Sequence, residues 1–195
     1  GIHGQDISHL IKYLPQLRDI LTRKITVRGE LIIKKKLFKE KYSIDYANAR
    51  NFVSGLVNQT KNLEAPNLVS KFKDIDFVCY EVIYPQLTPY KQLSLLRQIN
   101  TENSPLKVGI LRENTIPTME MLSDILQEWR DNYMYEIDGI IVTHNMIYPR
   151  LVTSDGIIKN PEHAFAFKML LTDQIAEVFV QDVVWTASKY GYLKP

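Results

Sequence analysis

Three charged positions stand out because of where they fall in the pattern of apolar residues. Lys168 interrupts an otherwise apolar run and shares a strand face with Ala164 and Ala166. A lysine beside two small residues can reach a buried anion, and apolar surroundings strengthen its pull on phosphate. A lysine snorkelling from an edge strand explains the same pattern. Glu30 lies mid-strand beside Arg28, where a surface ion pair is the plain explanation. Asp138-Gly139, followed by Ile140, Ile141 and Val142, reads as a turn entering a strand, a feature of many folds. Other chemistries find little support. The four histidines are scattered without metal-ligand spacing. Ser54-Gly55 and Ser154-Asp155-Gly156 lack the surroundings of a hydrolase nucleophile. Neither G-x-x-x-x-G-K-[ST] nor G-x-G-x-x-G occurs, which argues against P-loop and Rossmann sites.

The elements that must position these residues can be read from periodicity. Asp6 can cap a short helix through Ile7, Leu10, Ile11 and Leu14, with Pro15 ending it. Ile25 to Ile33 alternates at strand period, placing Arg28 and Glu30 on one face. Lys34 to Lys41 reads as a basic helix, and Ile75 to Tyr84 as a strand rich in aromatic and β-branched residues. Leu93, Leu96 and Ile99 suit a short helix. Pro117 opens a longer one, whose stripe of Met121, Leu122, Ile125, Leu126 and Trp129 belongs to the core. Ile137 to His144, His163 to Leu170 and Val178 to Thr186 complete the expected strands. Without a regular βαβ rhythm, this order predicts an α+β fold of largely antiparallel sheets with flanking helices. The pattern restarts after Leu171, so a boundary is expected there, giving units 1–171 and 172–195.

Composition sets the outer limits. A chain of 195 residues, 45% apolar and 24% charged, can bury a sizeable core and is not of disordered type. No stretch approaches the roughly 18 uninterrupted apolar residues of a membrane span. Gly1 to Gln5 is polar, so no secretory leader is expected. Cys79 is the only cysteine, which excludes an intrachain disulfide and a four-cysteine zinc site and fits a reducing, cytoplasmic location. The net charge of +2 is uninformative, but Leu10 to Lys41 alone carries +7. Such a segment is either a phosphate-binding patch or a solvated basic face.

The order and company of the segments is more specific than any one of them. Gly4-Gln5-Asp6-Ile7-Ser8-His9 resembles the tail of the glycine-rich segment of NAD-dependent DNA ligases. Val27-Arg28-Gly29-Glu30-Leu31 is similar to nucleotidyltransferase motif III, and Tyr46 to Asn51 with Gly55 to the family's F-A-N-P-R-N-A-A-A-G. Phe77-Val78-Cys79-Tyr80 resembles the strand whose tyrosine stacks on adenine. Glu136 to Val142 resembles motif IV, and His163 to Lys168 motif V. Val184-Trp185 through Gly191 to Pro195 is similar to the first strands of the family's OB domain. Together these cover essentially the whole chain, which is identified as a divergent, bacterial-type member compatible with a viral source.

The resemblance implies an adenylation domain followed by the beginning of an OB barrel. It implies AMP transfer from NAD to a lysine, then to the 5′-phosphate of nicked double-stranded DNA, then sealing. Tyr80 would stack on adenine. Glu30 and Asp138 would hold the water shell of a Mg²⁺ at the α-phosphate. Lys168 would neutralise the charge growing on that phosphate. Arg50 would contact a phosphate of the cofactor or the nick, and Lys189 the DNA near the nick.

Three departures qualify it. No Lys-x-Asp-Gly occurs, so the adenylated lysine is expected to be missing and the chain inactive alone. Thr143 stands where the family has a lysine after motif IV, and Asn58 where it has a second arginine. Two other readings follow: a non-catalytic, DNA-binding half of a split ligase that receives the lysine from a second chain, or an ATP-dependent ligase or capping-type nucleotidyltransferase. Thr143 favours the last and the Asn48 to Gly55 segment opposes it. No membrane partner is expected.

Overall fold

A computed structural model describes residues 4–59, 63–100, 105–112, 114–149, 160–169, 179–188 and 191–194. The chain begins with a 3-10 segment, Ser8–Tyr13, followed at once by helix α1, Pro15–Thr22. Pro15 thus opens a helix instead of ending one. Its missing N–H costs nothing in the first turn, and its fixed φ suits that position. Strand β1 (Thr26–Ile32) and helix α2 (Lys35–Lys41) follow as the alternation and the basic run predict. Two further helices escaped the pattern reading, α3 (Ala49–Val57) and α4 (Pro66–Lys73). Helix α3 is started by the Asn48 side chain accepting from the Asn51 N–H, and it buries Phe52, Val53 and Leu56.

Strand β2 (Asp76–Tyr84) pairs antiparallel with β1, and helix α5 (Pro89–Ile99) packs behind it. Helix α6 (Met119–Asn132) is capped by Thr118, two residues later than Pro117 suggests. Strands β3 (Gly139–Thr143) and β4 (Ala164–Lys168) form a second antiparallel ribbon. The expected strand over Val178 to Thr186 is not seen among the described residues. Positions 179–185 are irregular, and β5 (Thr186–Ala187) pairs with β6 (Leu193–Lys194). High β-propensity in that segment finds no neighbouring strand or buried face among the described residues, and propensity alone does not make a strand. The architecture is thus mixed helix with small antiparallel sheets.

Three buried clusters hold these elements. The largest gathers Leu10, Leu14, Ile33, Tyr42, Phe52 and Phe72 with their neighbours, and the Tyr42 and Phe52 rings stack at 4.1 Å. A second joins Ile20, Cys79, Val82, Leu96 and Ile99 between β2 and α5. The third is Leu122 and Leu126 of α6 against Ile140 and Phe167 of the second ribbon, as the predicted stripe requires. Polar contacts also join the segment after α6 to the first ribbon and α2. The Tyr135 hydroxyl donates to Asp76 at 2.8 Å, and Lys35 donates from its backbone N–H to Met134 O and from Nζ to Arg130 O. Among the described residues no helix is long and apolar enough to cross a membrane.

Candidate functional site

Tyr80 is placed by an irregularity in the first ribbon. The register steps from Arg28 opposite Glu81 to Gly29 opposite Cys79, so Tyr80 has no place in the ladder. Val78 and Cys79 are both buried while Tyr80 is half exposed, as expected where a bulge breaks the alternation and re-aims a side chain. Gly29 permits the close approach: a Cβ there would lie 2.6 Å from Val78 O and 2.7 Å from the Phe77 ring. On the edge of β2 away from β1, Asn100 is buried and closes both backbone groups of Cys79. The Cys79 N–H donates to its Oδ1 at 2.9 Å and its Nδ2 donates to Cys79 O at 2.8 Å. Gln92 similarly accepts from the Val82 N–H.

The charges around this ribbon differ from the expected Arg28–Glu30 pair. Arg28 Nη1 instead reaches Glu81 at 2.8 Å across the strands. Glu30 is exposed on β1. Burial raises the Tyr80 hydroxyl above its ordinary value, with Glu81 and Glu30 adding to the shift and Arg28 opposing it.

Asp138 and Lys168 meet on the second ribbon. Gly139 lies opposite Lys168 in the register, and Lys168 Nζ donates to Asp138 Oδ2 at 2.7 Å. Both side chains are exposed, at 63% and 83%. The Lys168 hydrogen bond holds the Asp138 carboxyl below its ordinary range. A Cβ on Gly139 would stand 2.6 Å from Phe167 O and 2.8 Å from Lys168 Cγ, so glycine is what lets the two strand ends close. Pairing places Ile141, Thr143, Ala164, Ala166 and Lys168 on one face, as the sequence alternation indicated. Thr143 is exposed on this face, without the charge of a lysine.

The remaining candidates are more dispersed. Arg50 is exposed in the first turn of α3, and Asn58 caps the far end of that helix. Lys189 lies outside the described residues. Much of the basic run is answered locally: Lys12 pairs with Glu64, Lys34 with Asp76 at 3.2 Å and Lys41 with Asp74 at 2.9 Å. That favours the plainer reading of the run as a paired and solvated face.

Pattern reading missed two side chains that shape the site, Asn100 and Arg130. Arg130, in the last turn of α6, donates from Nη2 to Asp138 O and Met169 O, both at 3.0 Å. A polar residue just after an apolar helix and an arginine in a last turn are both commonplace, so neither carries a warning signal.

Among the described residues no group of three or more His, Cys, Asp or Glu could hold a metal directly. Glu30 and Asp138 are hard oxygen donors, which suits a magnesium ion that keeps its waters.

Comparison with known proteins is consistent across the chain. The family model described as NAD-dependent DNA ligase adenylation domain matches residues 1–171. A protein named DNA ligase from Acanthamoeba polyphaga mimivirus is 37% identical over all of this chain and 29% of its own length. The Putative DNA ligase 205R of Invertebrate iridescent virus 6 is 34% identical over all of this chain and 31% of its own. A bacterial DNA ligase, from Oenococcus oeni, is 24% identical over all of this chain and 29% of its own. The chain thus spans less than a third of the length of these relatives.

Proposed function

The chain belongs to the NAD-dependent DNA ligase adenylation domain family, and we propose that it forms the nucleotide-handling part of a ligase that seals nicked double-stranded DNA using NAD. The observation that carries this reading is the exposed Asp138–Lys168 pair on the second ribbon, with the half-exposed Tyr80 out of the ladder on the first. In this reading residues 1–171 are the adenylation domain and 172–195 begin the OB domain, to which the β5–β6 pair would belong. The 195 residues contain no Lys-x-Asp-Gly. The adenylated lysine therefore comes from outside them, from a longer protein or a second chain, and these residues alone are inactive. A cytoplasmic location accords with this role.

Each residue then has a definite task. The Tyr80 ring stacks on adenine, and the bulge that takes it out of the ladder leaves it half exposed. Glu30 and Asp138 would hold a Mg²⁺ through its waters, and the ion would supply withdrawal of charge from the α-phosphate. Lys168 offers its ammonium to the same phosphate as in-line displacement builds charge there. The pair with Asp138 does not preclude this, because an ammonium has three donors and the carboxylate uses one. Arg50 presents its planar fork from the start of α3 to a phosphate of the cofactor or nick. Lys189 contacts the DNA near the nick.

The test is AMP transfer from labelled NAD in the complete ligase. Lys168→Ala should slow the transfer about 10²–10³-fold, the loss typical of one preorganised donor at a developing charge. Tyr80→Ala should instead weaken donor binding, by roughly 1–3 kcal/mol if the ring stacks on the base. An unchanged rate in the first variant and unchanged donor affinity in the second would refute both roles.

A further inference from the structure

Just past the ladder of the second ribbon, two histidines far apart in the sequence come to stand opposite each other. Thr143 pairs with Ala164, and the next residue outward on each strand is a histidine, His144 and His163. The His144 N–H donates to His163 O at 3.0 Å, so the pairing continues and both imidazoles leave the ribbon from one face. Side chains opposed in this way have Cβ atoms about 5 Å apart. Tyr148 joins them. Its hydroxyl lies 2.6 Å from His144 Nδ1, and its ring stacks on that of His163 at 4.0 Å and 10°. The loop that carries Tyr148 is tethered in turn, because Asn145 Oδ1 accepts from the Tyr90 N–H in the first turn of α5 at 2.9 Å. His144 is exposed and His163 half-buried, so the cluster is open to solvent.

We propose that His144 and His163 form a two-imidazole site for a divalent transition-metal ion of the Zn²⁺ and Ni²⁺ class, with Tyr148 orienting the first imidazole. Imidazole suits these ions, whereas Mg²⁺ prefers oxygen ligands. A ligating histidine usually gives its other ring N–H to an oxygen, which fixes the tautomer. The Tyr148 hydroxyl can accept from His144 Nδ1, and the lone pair is then on Nε2, the atom left for the metal. Stacking on Tyr148 covers a face of the His163 ring, while the nitrogens point outward from the ring edge. Two protein ligands are fewer than the three of a catalytic zinc site, so waters complete the coordination. The bound ion links β3 to β4 at the end of the ribbon away from Asp138 and Lys168, on the face opposite Lys168. It is therefore independent of the roles given to those two residues.

The experiment titrates Ni²⁺ into the complete ligase by calorimetry, with excess Mg²⁺ in every sample. Wild type is compared with His144→Ala, His163→Gln, Tyr148→Phe and Asp138→Asn. Wild type should bind one equivalent more than either histidine variant, because any other metal site of the ligase contributes equally to all. Equal stoichiometry in wild type and both histidine variants would overturn the proposal. Tyr148→Phe should keep the equivalent but weaken it about 10- to 100-fold, the usual loss when the partner of a ligating histidine is removed. Wild-type affinity in Tyr148→Phe would overturn the orienting role of the hydroxyl. Asp138→Asn should bind as wild type does; loss of the equivalent there would place the ion at the carboxylate and overturn the site. Hydrogen exchange gives a second reading without any variant. Ni²⁺ should slow exchange of the His144 amide, which bonds across the ribbon. If a histidine variant does not fold, that rate decides: slowing upholds the proposal, and an unchanged rate overturns it.

Discussion

Among the described residues, the β1–β2 ribbon lies against two buried clusters, whereas β3–β4 lies against one of four residues. Both carry a carboxylate next to a glycine whose missing Cβ allows the opposite strand to close to within contact distance. They then diverge. In the first ribbon Val78, Cys79 and Val82 are buried and fix the strand, so the bulge can expose Tyr80 without loosening it. In the second, exposure extends to Ile141 and Phe165, and the ends are held by polar contacts from Lys168 and Arg130. The lesson is that one ribbon is held chiefly by packing and the other by a few directed bonds. The second ribbon is therefore the easier to disturb.

That contrast can be broken by emptying the small core. Phe167→Ala should cost about 3–5 kcal/mol, the usual range for removing a buried aromatic side chain. Hydrogen exchange should show protection lost across β3 and β4 first, while β1 and β2 keep theirs, because their clusters contain no Phe167 contact. Phe52→Ala, equally large in the first core, should instead release α2, α3 and β1. Simultaneous loss of protection in both ribbons from Phe167→Ala would show that the Tyr135–Asp76 and Lys35 ties make one unit of them.

A smaller effect is expected at the edge of β2. Asn100→Ala leaves the Cys79 N–H and C=O buried without partners, a loss of about 1–3 kcal/mol. Cys79 reports the event directly. Burial pushes its thiol up to about 11, so at pH 8 almost none is thiolate and the native protein should resist alkylation. Loosening the bulge lowers that barrier to solvent, and the variant's thiol should react faster at the same pH. Alkylation at the wild-type rate would mean that packing alone holds the bulge.

The residues explain why some of this could be read from sequence and some could not. β1, β2 and the apolar stripe of α6 follow from periodicity, because burial of one face selects those side chains. The family motifs led to Glu30, Tyr80, Asp138 and Lys168 by type and order, though their roles await the experiments above. The bulge at Tyr80 was not legible, since a register shift depends on the partner strand rather than on β2 itself. Nor was the exchange of Glu30 for Glu81 as the partner of Arg28, which depends on a contact 53 residues away. Asn100 and Arg130 act by reaching backbone carbonyls and amides, which leave no complementary residue in the sequence to match.

The finest comparison sets the two cross-strand ion pairs against each other. Arg28–Glu81 is the less exposed, at 41% and 29%, and Lys168–Asp138 the more exposed, at 63% and 83%. Charges in water are screened, and holding two long side chains together costs entropy, so exposed pairs contribute only about 0.2–1 kcal/mol. Glu81→Gln should therefore lie near the upper end of that range in chemical denaturation and Lys168→Gln near the lower end. Both losses should shrink as salt is raised from 0.05 to about 0.5 M, over which the screening length falls well below 10 Å. The stability change at Glu81 matters less than its consequence. With Glu81 neutral, Arg28 is drawn toward Glu30, and higher magnesium should then be needed for half-maximal AMP transfer. An unchanged magnesium requirement in Glu81→Gln would show that Arg28 is held in place by the ribbon itself, without the Glu81 contact.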